Sequence, residues 1–517
     1  MHKPSEEELK HLFGFRAFRK GQKEIIAKIL AGHDVLAVLP TGTGKTLCYQ
    51  YPSRILKGMT IVVSPLLSLM EDQVHQLKAM GEKGACALNS HVSFRDRERI
   101  LASLNDRSIL FVSPEMLQNR EVTASLSRVR TGLFAVDEAH CISQWGHEFR
   151  TDYLKLAQVR EELGNPPCLA LTATATEKVQ EDIISHLKLE RLSRCVHSVD
   201  RPNISLHIKK AGTYEEKELT LVQTVNQLKG PGIVYTATRA EADLLAVKLR
   251  HRCGLRAASY HGGMEKEDRL LVQQQFVRDE TDVVCCTNAF GMGINKPNIR
   301  FVVHYHIPQS PEHYVQETGR AGRGGGQACA VLVYQEEDRH LPLSMIVSDL
   351  PTDDEIDLLY SVLKTVRPGA GPPTADEAVK SCVSSESKER LLCFYLDQEG
   401  LIGEDGRIIM TNAGSSKQRL KNRFQKRKKE KESQFFSMES MVKDHESCTR
   451  ELLLNYFGEA KTVSPVPCCS SCGDSPFSFQ MVKTSASEGT GEAGTSWESL
   501  LSRIFHQDIG QKRTGHH

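Results

Sequence analysis

VLAVLPTGTGKT (35–46) decides the fold: five apolar residues suited to a buried strand run into a Gly/Thr turn, and the residues after Thr46 suit a helix. A glycine-rich turn between strand and helix is a phosphate cradle, because backbone N–H groups and a helix N-terminus converge on one anion. Lys45 would reach the β- and γ-phosphates, and Thr46 would set its hydroxyl on Mg²⁺. Thr41, Gly42, Thr43 and Gly44 would wrap the chain around ATP. The strict motif has glycine five residues before Gly44, where this chain has Leu39.

The same alternation extends outward from this turn. Apolar strand-like runs recur at MTIVVS (59–64), SILFVS (108–113), GLFAVD (132–137) and CLALTA (168–173). The pattern restarts at PGIVYTA (231–237), GLRAASYH (254–261), TDVVCCT (281–287), NIRFVVHY (298–305) and ACAVLVY (328–334), with no close internal repeat. Unbroken apolar strands separated by helix-length segments predict parallel sheets with helices on both faces. The expected class is α/β, with two tandem parallel-sheet lobes at residues 1–205 and 206–345.

FAVDEAH (134–140) supplies the partner that a phosphate cradle needs, an apolar strand ending in two carboxylates. Asp137 suits Mg²⁺ coordination, and Glu138 is placed to orient or deprotonate an attacking water. Together the two motifs predict a nucleotide hydrolase.

Composition limits the alternatives. The 517 residues are 39% apolar and 25% charged, which excludes wholesale disorder and requires several cores. The 66 Lys/Arg and 65 Asp/Glu leave a net charge of +1, so any polyanion-binding face must come from local clustering. The N-terminus MHKPSEEELK is polar, and no run approaches a membrane span, so neither secretion nor a membrane is expected. Most of the 15 cysteines stand singly in apolar segments, as Cys86, Cys168 and Cys195 do, which implies a reducing compartment.

After residue 345 the pattern changes. Residues 346–415 are expected to form a small helical, winged-helix-like insertion. Its parts are IDLLYSVLKTV (356–366), the Pro/Gly break RPGAGPPTADE (367–377), and a helix, turn and hairpin in ESKERLLCFYLDQEGLIGEDGRIIMT (386–411). Residues 416–475 hold a basic helix and a cysteine cluster. The stretch KQRLKNRFQKRKKEK (417–431) carries nine Lys/Arg against one Glu and is expected to neutralise nucleic-acid phosphates. Residues 476–517 read as a flexible tail whose WESLLSRIF segment sets Trp497, Leu500, Leu501, Ile504 and Phe505 on one face of a short helix.

FGFRAFRKGQ (13–22), LPTGTGKT, DEAHCISQWGHEFRTDY (137–153), LTATAT (171–176), AFGMGINKP (289–297) and QETGRAGRGG (316–325) occur in the order and spacing of RecQ-type helicases of superfamily 2. The resemblance spans about residues 10–340 and, more loosely, 435–473. It implies RecA-like lobes and an ATP-dependent DNA helicase with 3′-to-5′ polarity, acting in recombination and repair on single-stranded and partially duplex DNA. It implies that Phe18, Arg19 and Gln22 read adenine, an amide being suited to bidentate contact with that base. Gln316, Arg320 and Arg323 resemble the last helicase motif, with Arg323 the finger across the interlobe cleft and Arg320 a second phosphate contact. The aromatic-rich loop would offer Trp145, His147, Phe149, Arg150 and Tyr153 to DNA bases. Ser64, Asn89 and Ser113, at strand ends, resemble turns that hold the DNA backbone.

Cys448 opens the helical run CTRELLLNYFGE, and Cys468, Cys469 and Cys472 follow in PCCSSC. Four thiolates with a terminal CxxC suit a closed, structural Zn²⁺ site, and the family's zinc subdomain begins with a comparable cysteine. The family spaces its last three cysteines as CxxCxxC. Here two are adjacent, which leaves a four-ligand and a three-ligand site both open.

Residues 473–517 are too few for the winged-helix and further helical domains that many family members carry after the zinc site. A short bacterial-type form is expected, a cytoplasmic, nucleoid-associated monomer whose tail could engage a single-stranded-DNA-binding or repair protein. The rival readings are a DNA-stimulated translocase that remodels protein–DNA complexes, a non-catalytic DNA-binding scaffold, and an RNA helicase.

Overall fold

The computed structural model describes residues 2–143, 149–290, 296–364, 374–383, 385–403, 405–409 and 413–476. They lie within one compact unit, Met1–Phe479; a second unit, Gln480–His517, lies outside the described residues, as does the WESLLSRIF segment.

The first lobe is a seven-stranded sheet built from β1 (Asp34–Val38), β2 (Met59–Val63), β3 (Ala85–Leu88), β4 (Ile109–Val112), β5 (Thr131–Val136), β6 (Cys168–Thr172) and β7 (Leu192–Val196). Its spatial order is β3-β4-β2-β5-β6-β1-β7, and every pairing is parallel. Parallel neighbours need crossovers, and helices on both faces supply them. Side chains therefore alternate between two cores: Leu36, Phe134 and Ala170 point to one, and Val35, Leu133 and Leu171 to the other.

The second lobe repeats the plan with β8 (Ile204–Lys210), β9 (Gly232–Tyr235), β10 (Ala257–Tyr260), β11 (Val283–Cys286), β12 (Phe301–His304) and β13 (Ala328–Tyr334). The order is β10-β11-β9-β12-β13-β8, again all parallel. Local chemistry starts its helices. Thr213, Thr238 and Ser310 each accept an N–H from the third residue of the helix they cap, and Pro311 follows Ser310 where its missing N–H costs nothing.

Beyond the lobes lies a unit with the element order of a winged helix. Helices Asp353–Lys364, Ala375–Lys380 and Glu386–Gln398 precede a small hairpin, with antiparallel bridges Thr374–Arg407 and Ile402–Ile408. Thr374 and Glu377 form a reciprocal capping box at the second helix. The helix Ala413–Lys443 then runs 31 residues. Leu420 and Phe424 enter the core of the winged-helix-like unit, whereas Phe435, Met438 and Val442 enter that of the second lobe. One helix thus pins two bodies together.

This placement shows how the basic run is held within the protein. Lys417 and Lys421 both pair with Asp357, Arg419 pairs with Glu399, and Arg423 lies over the Tyr395 ring and donates to Gln398. Arg427 is buried with its guanidinium 4.4 Å from the Phe149 ring. These five cations hold the protein's own acids and rings, so the run fastens the helix in place as well as carrying positive charge.

Candidate active site

The phosphate cradle forms where β1 ends. Leu39 N–H donates to Thr172 O at 3.0 Å, which fixes the chain against β6 just before it turns. Gly42 and Gly44 have φ of 84° and 76°, the left-handed region, and space also requires glycine there. A Cβ at Gly42 would lie 3.0 Å from Arg323 Cγ, and one at Gly44 2.9 Å from Gln22 Nε2. Thr43 Oγ1 closes the turn on Pro40 O at 2.7 Å, and Lys45 and Thr46 are half-buried at its end.

Gln22, expected to read adenine, braces this loop. Its Nε2 donates to Thr43 O and Gly44 O, both at 2.9 Å, and its Oε1 accepts Arg19 N–H at 2.8 Å. Arg19 adds a guanidinium bond to Gly42 O, and Phe18 packs edge-on against Tyr51. Both amide hydrogens of Gln22 are used, so reading adenine would compete with bracing the loop.

The carboxylates stand at the end of β5, separated from β1 only by β6. Asp137 N–H bonds Val63 O at 2.9 Å, and Tyr153 OH donates to Asp137 O at 3.1 Å. Tyr153 is therefore a buried strut beneath the catalytic strand, with no face for a base. Glu138 has φ 48° and ψ 47°, a conformation that costs a non-glycine residue about 1–3 kcal/mol and recurs at functional sites. Burial, with Glu138 alongside and Lys45 opposing, holds the Asp137 carboxyl up at about 6. Glu138 Oε2 is buried, accepts no hydrogen bond, and lies 3.4 Å from His140 Nδ1. An under-satisfied buried acid pair beside a lysine suits a divalent cation. His140 Nδ1 also meets Thr172 Oγ1 at 2.9 Å, tying the carboxylate turn to the TAT segment after β6.

The second lobe completes the site. Helix Pro311–Thr318 and the glycine-rich loop after it carry Gln316, Arg320 and Arg323, and the first two are buried. Burial, together with Arg320 and Arg201, pushes Arg323 down to about 9, while Tyr235 and Glu138 act the other way. Arg201 is pushed down to about 10 by burial and by Arg19. Mutually repelling guanidiniums beside a phosphate cradle make a site that an anion would stabilise.

Sequence reasoning missed Arg201, which lies in the connector between β7 and β8. Its Nη1 donates to Thr41 O at 2.7 Å and Gly319 O at 3.0 Å, and its Nη2 to Ala321 O and Gly322 O at 3.1 and 2.9 Å. One side chain therefore fastens the cradle of the first lobe to the arginine loop of the second. An isolated arginine in SVDRPN carries no chemical motif; the signal was its place between two strand-helix series.

Of the residues expected at DNA, Trp145 and His147 lie outside the described residues. Phe149 packs against the winged-helix-like core, with Arg427 over its ring. That face is taken, which sets aside base stacking by Phe149 in this conformation. Arg150 Nη1 donates to Pro65 O at 3.2 Å and so joins the same loop to the Ser64 turn. Ser64, Asn89 and Ser113 close the C-terminal ends of β2, β3 and β4, which are neighbours in the sheet. Their side chains are buried, and the N–H groups of Ser64 and Ser113 are already donated to Val112 O and Leu88 O at 3.0 and 3.1 Å, so in this conformation they shape the turns from beneath.

The structure brings all four cysteines of the cluster together. The sulfurs of Cys448, Cys468, Cys469 and Cys472 all lie within 4.8 Å of one another, with close pairs at 3.5, 3.7 and 3.8 Å. A tetrahedral zinc with Zn–S of about 2.3 Å has sulfurs about 3.8 Å apart, so all four thiols fit. Cys448 caps the helix Thr449–Tyr456. Against its burial, the Glu451 main chain, Cys472 and Lys461 hold its thiol below the ordinary cysteine value. The knuckle also reaches lobe two: Leu206 N–H donates to Cys468 O at 3.0 Å, and Ile208 N–H to Ser470 Oγ at 3.2 Å, which extends the sheet beyond β8.

Three family models match in chain order: DEAD/DEAH box helicase over residues 19–183, helicase conserved C-terminal domain over 216–325, and RecQ zinc-binding over 408–473. The chain is 42% identical over 509 residues to the probable ATP-dependent DNA helicase RecS of Bacillus subtilis, covering 97% of this chain and 98% of that protein. It is 44% identical over 332 residues to the ATP-dependent DNA helicase RecQ of Haemophilus influenzae, covering 64% of this chain and 53%, about half, of that relative. Among solved structures, the Mycobacterium smegmatis helicase Lhr bound to ssDNA and AMP-PNP superposes with a TM-score of 0.55 at 19% identity, over 78% of this chain and 58% of Lhr. At that identity the likeness establishes the fold: two RecA-like parallel-sheet lobes.

Proposed function

The chain belongs to the RecQ family of helicases, and from that premise we propose that it couples ATP hydrolysis to 3′-to-5′ movement along single-stranded DNA and to strand separation. The observation that carries this reading is the meeting of Lys45, Asp137, Glu138, Arg201 and Arg323 where the two lobes touch.

Each part has a task that follows from its position. The cradle and Lys45 hold the triphosphate, and Glu138, the under-satisfied acid, orients a water toward the γ-phosphorus and takes its proton. Arg323 and Arg320 balance the charge that gathers on the transferred group, with Gln316 beside them. Thr46 and Asp137 would hold Mg²⁺, which neutralises phosphate charge when bound. The four cysteines would hold a structural Zn²⁺. Because the acids and the finger sit on different lobes, nucleotide favours the closed arrangement, and its loss releases one lobe from the other. The closing motion advances the turns at β2, β3 and β4 along a strand held by its phosphates. Recombination and repair are the proposed setting, in the cytoplasm and at the nucleoid. None of the described helices is long and apolar enough to cross a membrane.

The test is ATP-dependent strand displacement from matched duplexes with a 3′ or a 5′ single-stranded tail, with Lys45→Ala as the inactive control. Displacement from the 3′ tail alone is expected. DNA-stimulated hydrolysis without displacement would replace the helicase reading with the translocase one, and no hydrolysis would leave a scaffold.

A further inference from the structure

The connector between the lobes is held from an unexpected side. Arg450 lies two residues beyond Cys448, in the first turn of the helix Thr449–Tyr456, and is 2% exposed. Its guanidinium does not serve its own subdomain alone. Nη1 pairs with the Asp200 carboxylate and donates to Arg201 O at 3.3 Å, and Nη2 donates to Ile204 O and to Cys468 O. Glu459, just after the same helix, accepts Val199 N–H at 3.1 Å. The connector is therefore gripped at Val199, Asp200, Arg201 and Ile204 by the cysteine subdomain. From the gripped main chain, the Arg201 side chain turns the other way and spans Thr41 O of the cradle and Gly319, Ala321 and Gly322 O of the arginine loop.

We propose that Arg201 and Arg450 are positioning residues for ATP hydrolysis: Arg450, through Asp200, sets the connector, and Arg201 sets the arginine loop against the phosphate cradle. The inference rests on the ATP-hydrolase reading above. It assigns the cysteine subdomain a part in catalysis beyond holding a structural Zn²⁺. The chemistry is specific. A buried guanidinium with five fixed donors can satisfy one carboxylate and three carbonyls at once, which no lysine can. Main-chain carbonyls held this way cannot drift, so the finger loop approaches the cradle in one register. Misplacing reacting groups by about 1 Å can cost on the order of 10²-fold in rate, so a support this far from the chemistry can matter.

The test uses the full chain and three variants. Arg201→Ala leaves no buried charge unpaired, so the chain should still fold, with a lower Tm because the carbonyls of Thr41, Gly319, Ala321 and Gly322 lose a donor. The double variant Asp200→Asn/Arg450→Met removes both charges together, which avoids stranding either one in the interior. Arg201→Lys keeps the charge but cannot span both lobes. We expect all three to bind one zinc per chain and to lower kcat for DNA-stimulated ATP hydrolysis by on the order of 10²-fold, with KM for ATP changing several-fold less. In the double variant, amide exchange at 199–204 should quicken. Wild-type kcat in folded Arg201→Ala, or in the folded double variant, would overturn the proposal; so would full rescue by Arg201→Lys. Wild-type protein that shows no Lys45-dependent hydrolysis would instead overturn the enzymatic reading beneath it.

Discussion

Gly319→Ala probes how closely the two lobes must meet. Gly319 follows helix Pro311–Thr318 with φ −62° and ψ −6°, a conformation that alanine adopts freely, so the substitution carries no backbone penalty. Its Cβ would nevertheless fall 1.9 Å from Thr41 Oγ1 and 3.2 Å from Thr41 Cβ, across the interface. Carbon and oxygen do not approach within about 3.0 Å, so either Thr41 turns its hydroxyl away or the lobes separate by roughly 1.1 Å, and the expected loss is that of the second response. A displacement of that size between finger and phosphate is expected to cost on the order of 10²-fold in kcat, about 2.7 kcal/mol. Thr41→Ala removes the offending oxygen and leaves approaches of 2.9 Å to Val315 O and 3.2 Å to the residue 41 Cβ, so the double variant should recover the part of the loss that comes from the hydroxyl. The assay is steady-state ATP hydrolysis at saturating single-stranded DNA, with thermal unfolding recorded for each protein. Wild-type turnover by Gly319→Ala would refute the closed arrangement as the working one; equal losses in both Thr41 backgrounds would refute the contact as the cause.

Asp137→Asn should raise the Tm of metal-free protein above pH 6 while abolishing hydrolysis. The folded chain holds the Asp137 carboxyl up at about 6, so folding favours its neutral form and stability is lost as pH rises from the ordinary carboxylate range to about 6; the gap between variant and wild type should narrow as pH falls toward 4. Arg160→Met should cost about 1.5–3 kcal/mol in urea unfolding, because it removes the cation that meets Asp34 at 2.6 Å and leaves that carboxylate the Cys168 and Glu190 N–H groups, and turnover per folded molecule should not change. Chelation or Cys472→Ser should remove bound zinc, which elemental analysis reads directly, and should speed amide exchange at Leu206 and Ile208, whose partners sit on the cysteine knuckle. Replacing both Lys417 and Lys421 with Gln should change stability by no more than about 1 kcal/mol in thermal unfolding, since both pair with the half-exposed Asp357 at the surface.

The strands that the sequence hid share one trait. ACAL (85–88), LSRCV (192–196) and ISLHIKK (204–210) form β3, β7 and β8, and all three lie at sheet edges. An edge strand is covered on fewer sides, so its apolar run breaks up, whereas interior strands such as DVLAV are buried at every position. The cradle and the acid pair were legible because their chemistry lies in residue types at fixed spacing. Arg201 and Arg450 were not, because their role lies in carbonyls that only the fold brings within reach. Phe149 and the basic run illustrate the converse. An aromatic ring and a lysine look equally available in sequence whether their partner is a DNA strand or the protein's own helix.

The pairing of β8 with the cysteine knuckle also bears on how the chain is made. Ile208 leaves the ribosome 262 residues before Ser470, the residue that satisfies its N–H. At 5–20 residues per second that is an interval of roughly 13–52 s in which the outer strand of the second lobe stands uncovered. An open strand edge is a template for pairing with another nascent chain. Supply of the metal during synthesis then governs soluble yield as well as final stability, and cells short of zinc should accumulate this protein in aggregates nucleated at residues 204–210.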